Sequence, residues 1–379
     1  MKLLFDSHLD LAWNAISWKR DLTLPLREMN AREAQLDDQV ARGRATVSLP
    51  EMRRGRVAVC LGTVLARTPH GTTSTIFPGT LDYPRQEIAY AAAQGQLAYY
   101  RVLESQGEVA ILRSAAELDA HWKRWEAADE ATRDGLPIGI ILAAEGSDPI
   151  VDNQQAQSWF VDGLRCASLV HYGRSAYAGG TGDDPAAPGL TPRGREMLKQ
   201  FEKLGIILDL THLSDKSFYE ALDEYQGPVL ASHQNCRALV PGDRQFSDAQ
   251  IKRVLERGGI LGVAMDAWML YPGWKRGDTL AEYTRREVVG LEAALDHMDH
   301  ICQLAGNCDQ LAIGTDLDGG FGTEQTPTGL DSIADLQKFD ALLTARGYSE
   351  AEIQAFFSGN WLRFFRQHLP KSRKSRVVN

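Results

Sequence analysis

Nine short apolar runs rich in Val, Ile and Leu punctuate this 379-residue chain, and stretches of helical period separate most of them. The runs cover residues 2–5, 57–64, 109–112, 138–144, 166–170, 205–210, 228–231, 260–265 and 311–314. Continuous apolar runs suit parallel strands covered on both faces, because a half-exposed strand would alternate polar and apolar residues. Helical patterns occupy 85–105, 115–131, 193–204, 247–257 and 281–304, and several carry end signals. Pro192 follows Thr191 at a first helical position, "SDAQ" (247–250) and "SEAE" (349–352) are capping boxes, and Gly258-Gly259 ends a helix. Strand–helix alternation repeated about eight times predicts an α/β chain folded as a (β/α)8 barrel rather than an open sheet. Nine runs are one too many. The run at 109–112 is expected to lie outside the barrel or not to be a strand.

A single large barrel accounts for residues 1–370, and the basic stretch "KSRKSRVVN" (371–379) reads as a solvated tail. The net charge of −9, with both signs interspersed, argues against a nucleic-acid or anionic-membrane partner. No apolar run approaches a membrane span, and no signal peptide is visible, so the cytoplasm is the expected location. The five cysteines are scattered and odd in number, which implies a reducing compartment without a disulfide framework. The Gly/Pro/Thr-rich segment 68–84 reads as a lid or a surface insertion.

The ends of the apolar runs carry the chemistry. "DSHLD" places Asp6, His8 and Asp10 directly after the first run. "LAAEG" ends at Glu145, "SLVHYG" at His171, "LDLTHLS" at His212, "VLASHQN" at His233 and "AIGTDLDGG" at Asp316. Taken singly, a histidine after a strand is more often a hydrogen-bonded loop residue than a ligand. That plain reading holds for His70, His121, His297, His300 and His368, and capping roles hold for Asp6, Asp209 and Asp318. In a (β/α)8 barrel, however, every strand C-terminus opens on one face, so six segments converge. Several imidazoles with carboxylates and no thiolate describe a divalent metal site, zinc best, with Mn, Fe or Co as alternatives. Glu145 is a carboxylate able to bridge two metals, and a shared hydroxide would be the nucleophile for hydrolysis of an amide, ester or phosphoester.

These motifs resemble the membrane (renal) dipeptidases, peptidase family M19, within the amidohydrolase-like, metal-dependent hydrolase barrels. "DSHLDL", "AAEG", the block "GLTPRGREMLKQFEKLGIILDLTHLSDKSFYEAL" (189–222), "PVLASHQNCRAL", "DRQFSDAQI", "GGILGVAM" and "SGNWLRFF" carry the likeness over most of the chain. The resemblance implies a binuclear zinc dipeptidase that cleaves free dipeptides, including L-Xaa-D-Xaa, and that forms a homodimer. It implies that His8 and Asp10 hold one zinc, that Glu145 bridges, and that His212 and His233 hold the second. Asp316 lies beside the first zinc as the proton-transfer residue. His171 stabilises the oxyanion, and Arg244 binds the substrate's terminal carboxylate. The chain departs from the family's usual "DGHND" at Ser7 and Leu9, from "HSN" at Gln234, and across 263–275 ("VAMDAWMLYPGWK"), which leaves substrate preference open. Two alternatives stand beside the dipeptidase. One is an amidohydrolase acting on N-acyl amino acids, lactones or cyclic amides. The other is a non-catalytic metal-binding protein, which retention of the whole residue set disfavours.

Overall fold

In the computed structural model, residues 1–68, 81–184, 186 and 188–372 are described. Most of the 68–84 segment and most of the basic tail therefore lie outside the described residues. Nine parallel strands form: β1 (Leu4–Leu9), β2 (Val57–Val64), β3 (Val109–Ile111), β4 (Ile138–Ala144), β5 (Leu164–Ser168), β6 (Ile207–Asp209), β7 (Val229–Ala231), β8 (Ile260–Val263) and β9 (Leu311–Ile313). Eight of them run in the order β1-β2-β4-β5-β6-β7-β8-β9, a nearly closed (β/α)8 barrel. As expected, β3 stands off this path. It pairs with Ile138–Ile140 of β4, while β5 takes the other half of the same edge, from Leu142 to Ala144.

Side chains finish what the backbone leaves open. No backbone ladder joins β9 to β1 among the described residues. Instead the Asp6 carboxylate accepts from the Thr315 backbone N–H (2.9 Å) and hydroxyl (2.5 Å). The Ser7 hydroxyl donates to the carbonyls of Ile313 (3.0 Å) and Ser232 (2.5 Å). Outside this seam lies the helix Asn360–His368, whose Trp361 indole donates to the Ile313 carbonyl at 2.8 Å. Phe5 stacks on Phe365 with ring centroids 5.2 Å apart. Across the barrel interior, a Cβ on Gly262 or Gly314 would stand within 2.6 Å of both the Ser232 carbonyl oxygen and Ser7 Oγ. Glycine in a strand often marks such an approach of backbone to backbone.

Element boundaries correct the sequence reading in places. β1 runs through His8, so Asp6 and His8 belong to the strand rather than following it. Polar residues are tolerated there because each is hydrogen-bonded inside the barrel. The helix expected over 281–304 begins only at Glu292. Val288, Val289 and Gly290 interrupt its start, and Gly290 pairs instead with Thr328. The helix from Ala115 stops at Ala127, because Asp129 opens a separate turn through a capping box with Thr132. The runs expected at 166–170 and 205–210 shift or shorten to Leu164–Ser168 and Ile207–Asp209. The cysteines are free; Cys60 and Cys166 are small buried core residues.

Candidate active site

Each polar strand end arrives on the same face. His8 lies in β1 and Asp10 directly follows it, Glu145 directly follows β4, and His171 lies just past β5. His212 and His233 leave β6 and β7, and Asp316 leaves β9. Tyr172, His212 and Asp316 adopt positive φ, at 46°, 68° and 60°. Such conformations cost on the order of 1–3 kcal/mol each and cluster where side chains must be aimed. Asp316 also depends on its neighbour. A Cβ at Gly319 would stand 2.0 Å from the Asp316 Oδ1, so the "DGG" turn is small where the carboxylate folds inward.

Glu145 is the centre of the cluster. Its Oε1 lies 3.1 Å from His212 Nε2, 3.5 Å from His8 Nε2 and His233 Nε2, and 3.8 Å from His171 Nε2. His8 Nε2 is also 3.8 Å from both Asp10 Oδ1 and Asp316 Oδ1. Three ligand groups therefore overlap: His8, Glu145 and His233; Glu145, His171 and His212; and His8, Asp10 and Asp316. The structure brings together seven of the eight side chains assigned a role from sequence. His171 is interleaved with the ligands rather than standing apart from them.

These residues fit divalent cations. Buried His8 Nε2, Glu145 Oε2 and His212 Nδ1 have no hydrogen-bond partner among the described residues, and orphaned buried polar atoms are costly. Burial, reinforced by Arg244, holds the His212 and His233 imidazoles well below their usual pKa. Their lone pairs are thus available at neutral pH. Burial likewise lowers His171, with Arg67 the next cause, and raises Glu145 and Asp316. At His8 burial opposes the charged form, but Glu145 and Asp10 outweigh it and the pKa rises. Supporting groups hold the ligands. Ser232 Oγ sits 2.9 Å from His233 Nδ1 and 3.4 Å from His8 Nδ1. Thr63 donates to Asp10, and Asp209 accepts from the Thr211 and Ser232 backbone N–H groups. Asp318 braces Thr46 and Val47. These structural roles match the capping reading of Asp6, Asp209 and Asp318. Of the remaining histidines, His121 bonds the Ala58 carbonyl, His297 accepts from Cys236 N, and His300 pairs with Asp248.

A cavity of about 100 Å³ opens on the cluster, lined by Asp10, Glu145, His171, His212 and Asp316. Arg244 is not in its wall. The Arg244 guanidinium lies behind, donating to the His233 carbonyl (3.0 Å) and to Gln234 Oε1 (2.8 Å), with its Nε unpartnered among the described residues. The wall instead contains residues that the sequence reading did not single out: Trp13, Leu65, Tyr172, Asp266 and Arg276. The departure at 263–275 was the one signal pointing toward Asp266 and its neighbour Arg276.

A parallel barrel with imidazoles and carboxylates converging at its strand C-termini defines the class: a metal-dependent hydrolase. The chain belongs to the membrane dipeptidase family, peptidase family M19, whose model matches residues 2–376. It is thus a metallo-dipeptidase by family. Among curated relatives it is 28% identical over 232 residues to "Dipeptidase tcpJ" of Claviceps purpurea, covering 60% of this chain and 50% of that protein. It is 25% identical over 269 residues to an uncharacterised Klebsiella pneumoniae protein encoded in a pqqA 5' region, covering 69% of this chain and 90% of that one. The fold matches the crystal structure of dipeptidase AC, a metallo peptidase of family M19, with TM-score 0.74, 23% identity and coverage of 98% and 99%. It also matches a metallo peptidase from Rhodobacter sphaeroides liganded with a phosphinate mimic of L-Ala-D-Ala, with TM-score 0.73, 24% identity and coverage of 97% and 100%.

Proposed function

We propose that this chain hydrolyses free dipeptides with two Zn²⁺ ions, and that its substrates include L-Xaa-D-Xaa. The observation that carries the reading is the placement of Glu145 Oε1 within 3.8 Å of four imidazole nitrogens at the mouth of the barrel. His8 and Asp10 would hold one ion, His212 and His233 the other, with Glu145 between. The pair supplies Lewis acidity and a nucleophile active at neutral pH. The L-Ala-D-Ala mimic bound by the Rhodobacter relative supports the stereochemical part.

The protein's own groups supply the rest. Asp316, whose Oδ1 lies 3.8 Å from His8 Nε2 on the cavity wall, is placed to take a proton from the nucleophile and pass it to the leaving amine. His171 is kept neutral, and Arg67 Nη1, which can only donate, faces its Nδ1 at 3.5 Å. That leaves the proton on Nε2, the nitrogen turned toward Glu145, where a developing oxyanion would form. The family resemblance assigns Arg244 to the terminal carboxylate; it lies behind the cavity wall, with Nη1 and Nη2 held by Gln234 and the His233 carbonyl and Nε left unbonded among the described residues. The same proposal has a homodimer, supported by the family resemblance, working in the cytoplasm, supported by five free cysteines. No helix among the described residues is long and apolar enough to cross a membrane.

The test is release of free amino acids from L,L- and L,D-dipeptides by zinc-loaded and chelator-stripped protein, with N-acetylated and C-amidated controls. Metal-dependent cleavage of free dipeptides alone is expected. Cleavage of N-acyl amino acids, lactones or cyclic amides in their place would replace this reading with the amidohydrolase one.

A further inference from the structure

The cavity that opens on the cluster is lined by four carboxylates, Asp10, Glu145, Asp266 and Asp316. Arg276 is the one permanent cation among its described lining residues. Its guanidinium is fixed on three sides. Nη2 donates to Asp266 Oδ2 at 2.8 Å, and Nε donates to Gln325 Oε1 at 2.9 Å. The flat face lies over the Trp268 ring, 4.5 Å from its centroid. The two anchors are themselves locked. Buried Asp266 Oδ1 accepts from Gln325 Nε2 and from the Trp268 backbone N–H, both at 2.8 Å. This leaves Nη1 without a hydrogen-bond partner among the described residues, on a side chain that keeps 44% of its surface exposed.

A strap between loops would need only the Asp266 contact. Three restraints on one side chain that lines a cavity, with one of its donors left unbonded, are what a preorganised anion receptor needs. Arg244 is a separate group: it does not line that cavity, and its Nη1 and Nη2 are bonded to Gln234 and the His233 carbonyl. The two arginines do share a side of the site. The segment after β8 docks on the segment after β7 through Gln245 Nε2 to the Met269 carbonyl (2.8 Å) and Asn235 Nδ2 to the Ala264 carbonyl (3.1 Å).

We propose that Arg276 recognises a second carboxylate, carried by the side chain of the substrate's C-terminal residue, so that the preferred dipeptides end in Asp or Glu. This rests on the dipeptidase reading with Arg244 holding the terminal carboxylate. A charge-assisted hydrogen bond in a partly desolvated site corresponds to about a 10- to 100-fold preference.

The test is kcat/KM of the metal-loaded enzyme for Ala-Glu, Ala-Gln, Ala-Ala and Glu-Ala, in the L,L and L,D series, for wild type, R276Q and R276K. Wild type is expected to favour Ala-Glu over Ala-Gln by about 10-fold or more. In R276Q that preference should collapse, with a larger loss of kcat/KM on Ala-Glu than on Ala-Gln or Ala-Ala and with metal content retained, and R276K should retain part of it. Binding of phosphinate analogues bearing Glu or Gln side chains, measured by calorimetry, should show the same ratio without turnover. An equal loss on every dipeptide in R276Q would overturn the inference, assigning Arg276 to the terminal carboxylate or to loop structure. So would a wild-type enzyme indifferent to the acidic side chain, or one preferring Glu-Ala; the dipeptidase reading would survive either result. Failure to cleave any dipeptide would overturn both.

Discussion

Substituting Gly314 with Ala tests whether the barrel interior positions the metal ligands. A Cβ at Gly314 would lie 1.9 Å from the Ser232 carbonyl oxygen, 2.6 Å from Ser7 Oγ and 3.0 Å from the Gly262 Cα. Real Cβ atoms essentially never approach a neighbour within 3.0 Å, so the carbonyl must retreat by about 1.1 Å. It has little room to do so, since it already accepts from Ser7 Oγ at 2.5 Å. Ser232 is bonded to His233, and Ser7 to His8, so relief of the clash displaces ligands on both β7 and β1. Overpacking a core typically costs about 1–3 kcal/mol, and the upper part of that range applies because backbone rather than a flexible side chain must move. A misplacement near 1 Å costs catalysis roughly 100-fold. Denaturant unfolding, metal content and kcat/KM of Gly314→Ala should therefore all fall together. Gly95→Ala is the control. Gly95 lies inside the helix Gln86–Gln106 with no heavy atom within 4 Å of its added methyl, and the change should be neutral or stabilising by about 0.5–1 kcal/mol. If Gly314→Ala matched wild type in stability, metal and turnover, the close packing of Ser7, Ser232, Gly262 and Gly314 could not be what places the ligands.

Two further outcomes follow from the site and its surroundings. Glu145→Ala removes the group nearest four imidazoles, so metal affinity should fall by more than the roughly 10- to 100-fold typical of an outer partner, with turnover abolished and the circular-dichroism spectrum kept. A variant that retained two ions and normal rate would disprove the bridging role. Asp148 is buried, accepts from the Thr68 and Ala176 backbone N–H groups, and is pushed by burial from 3.8 up to about 7. Its folded pKa is the higher one, so its contribution to stability is complete below pH 4 and is lost as pH rises through 7, by about 4 kcal/mol at most. Asp148→Asn cannot ionise, so its stability relative to wild type should climb between pH 4 and 7. Parallel unfolding free energies across that range would refute the assignment.

What the sequence by itself determined is local in origin. Continuous apolar runs identified all nine strands, because a strand buried on both faces must be apolar along its length. The run at 109–112, one too many for the ring, does form a strand, and this strand, β3, pairs outside it. The metal cluster was legible because parallel topology alone sends every strand's C-terminus to one face, so His8, Glu145, His212 and His233 could be grouped without coordinates. Tertiary structure decided whatever depends on distances between segments far apart in the chain. The seam between β1 and β9 is closed by Asp6 and Thr315, 309 residues apart, and nothing in either local pattern announces the pairing. Arg276 lines the cavity because Asp266 and Gln325 hold it there, whereas Arg244, matched by its spacing from His233, stands behind the wall. Gly262 and Gly314 read locally as weak strand residues. Their necessity arises only where two backbones and the Ser7 and Ser232 residues meet inside the barrel. Periodicity reports which face of an element is buried, but not which neighbour it is buried against; that depends on the close packing of the whole interior.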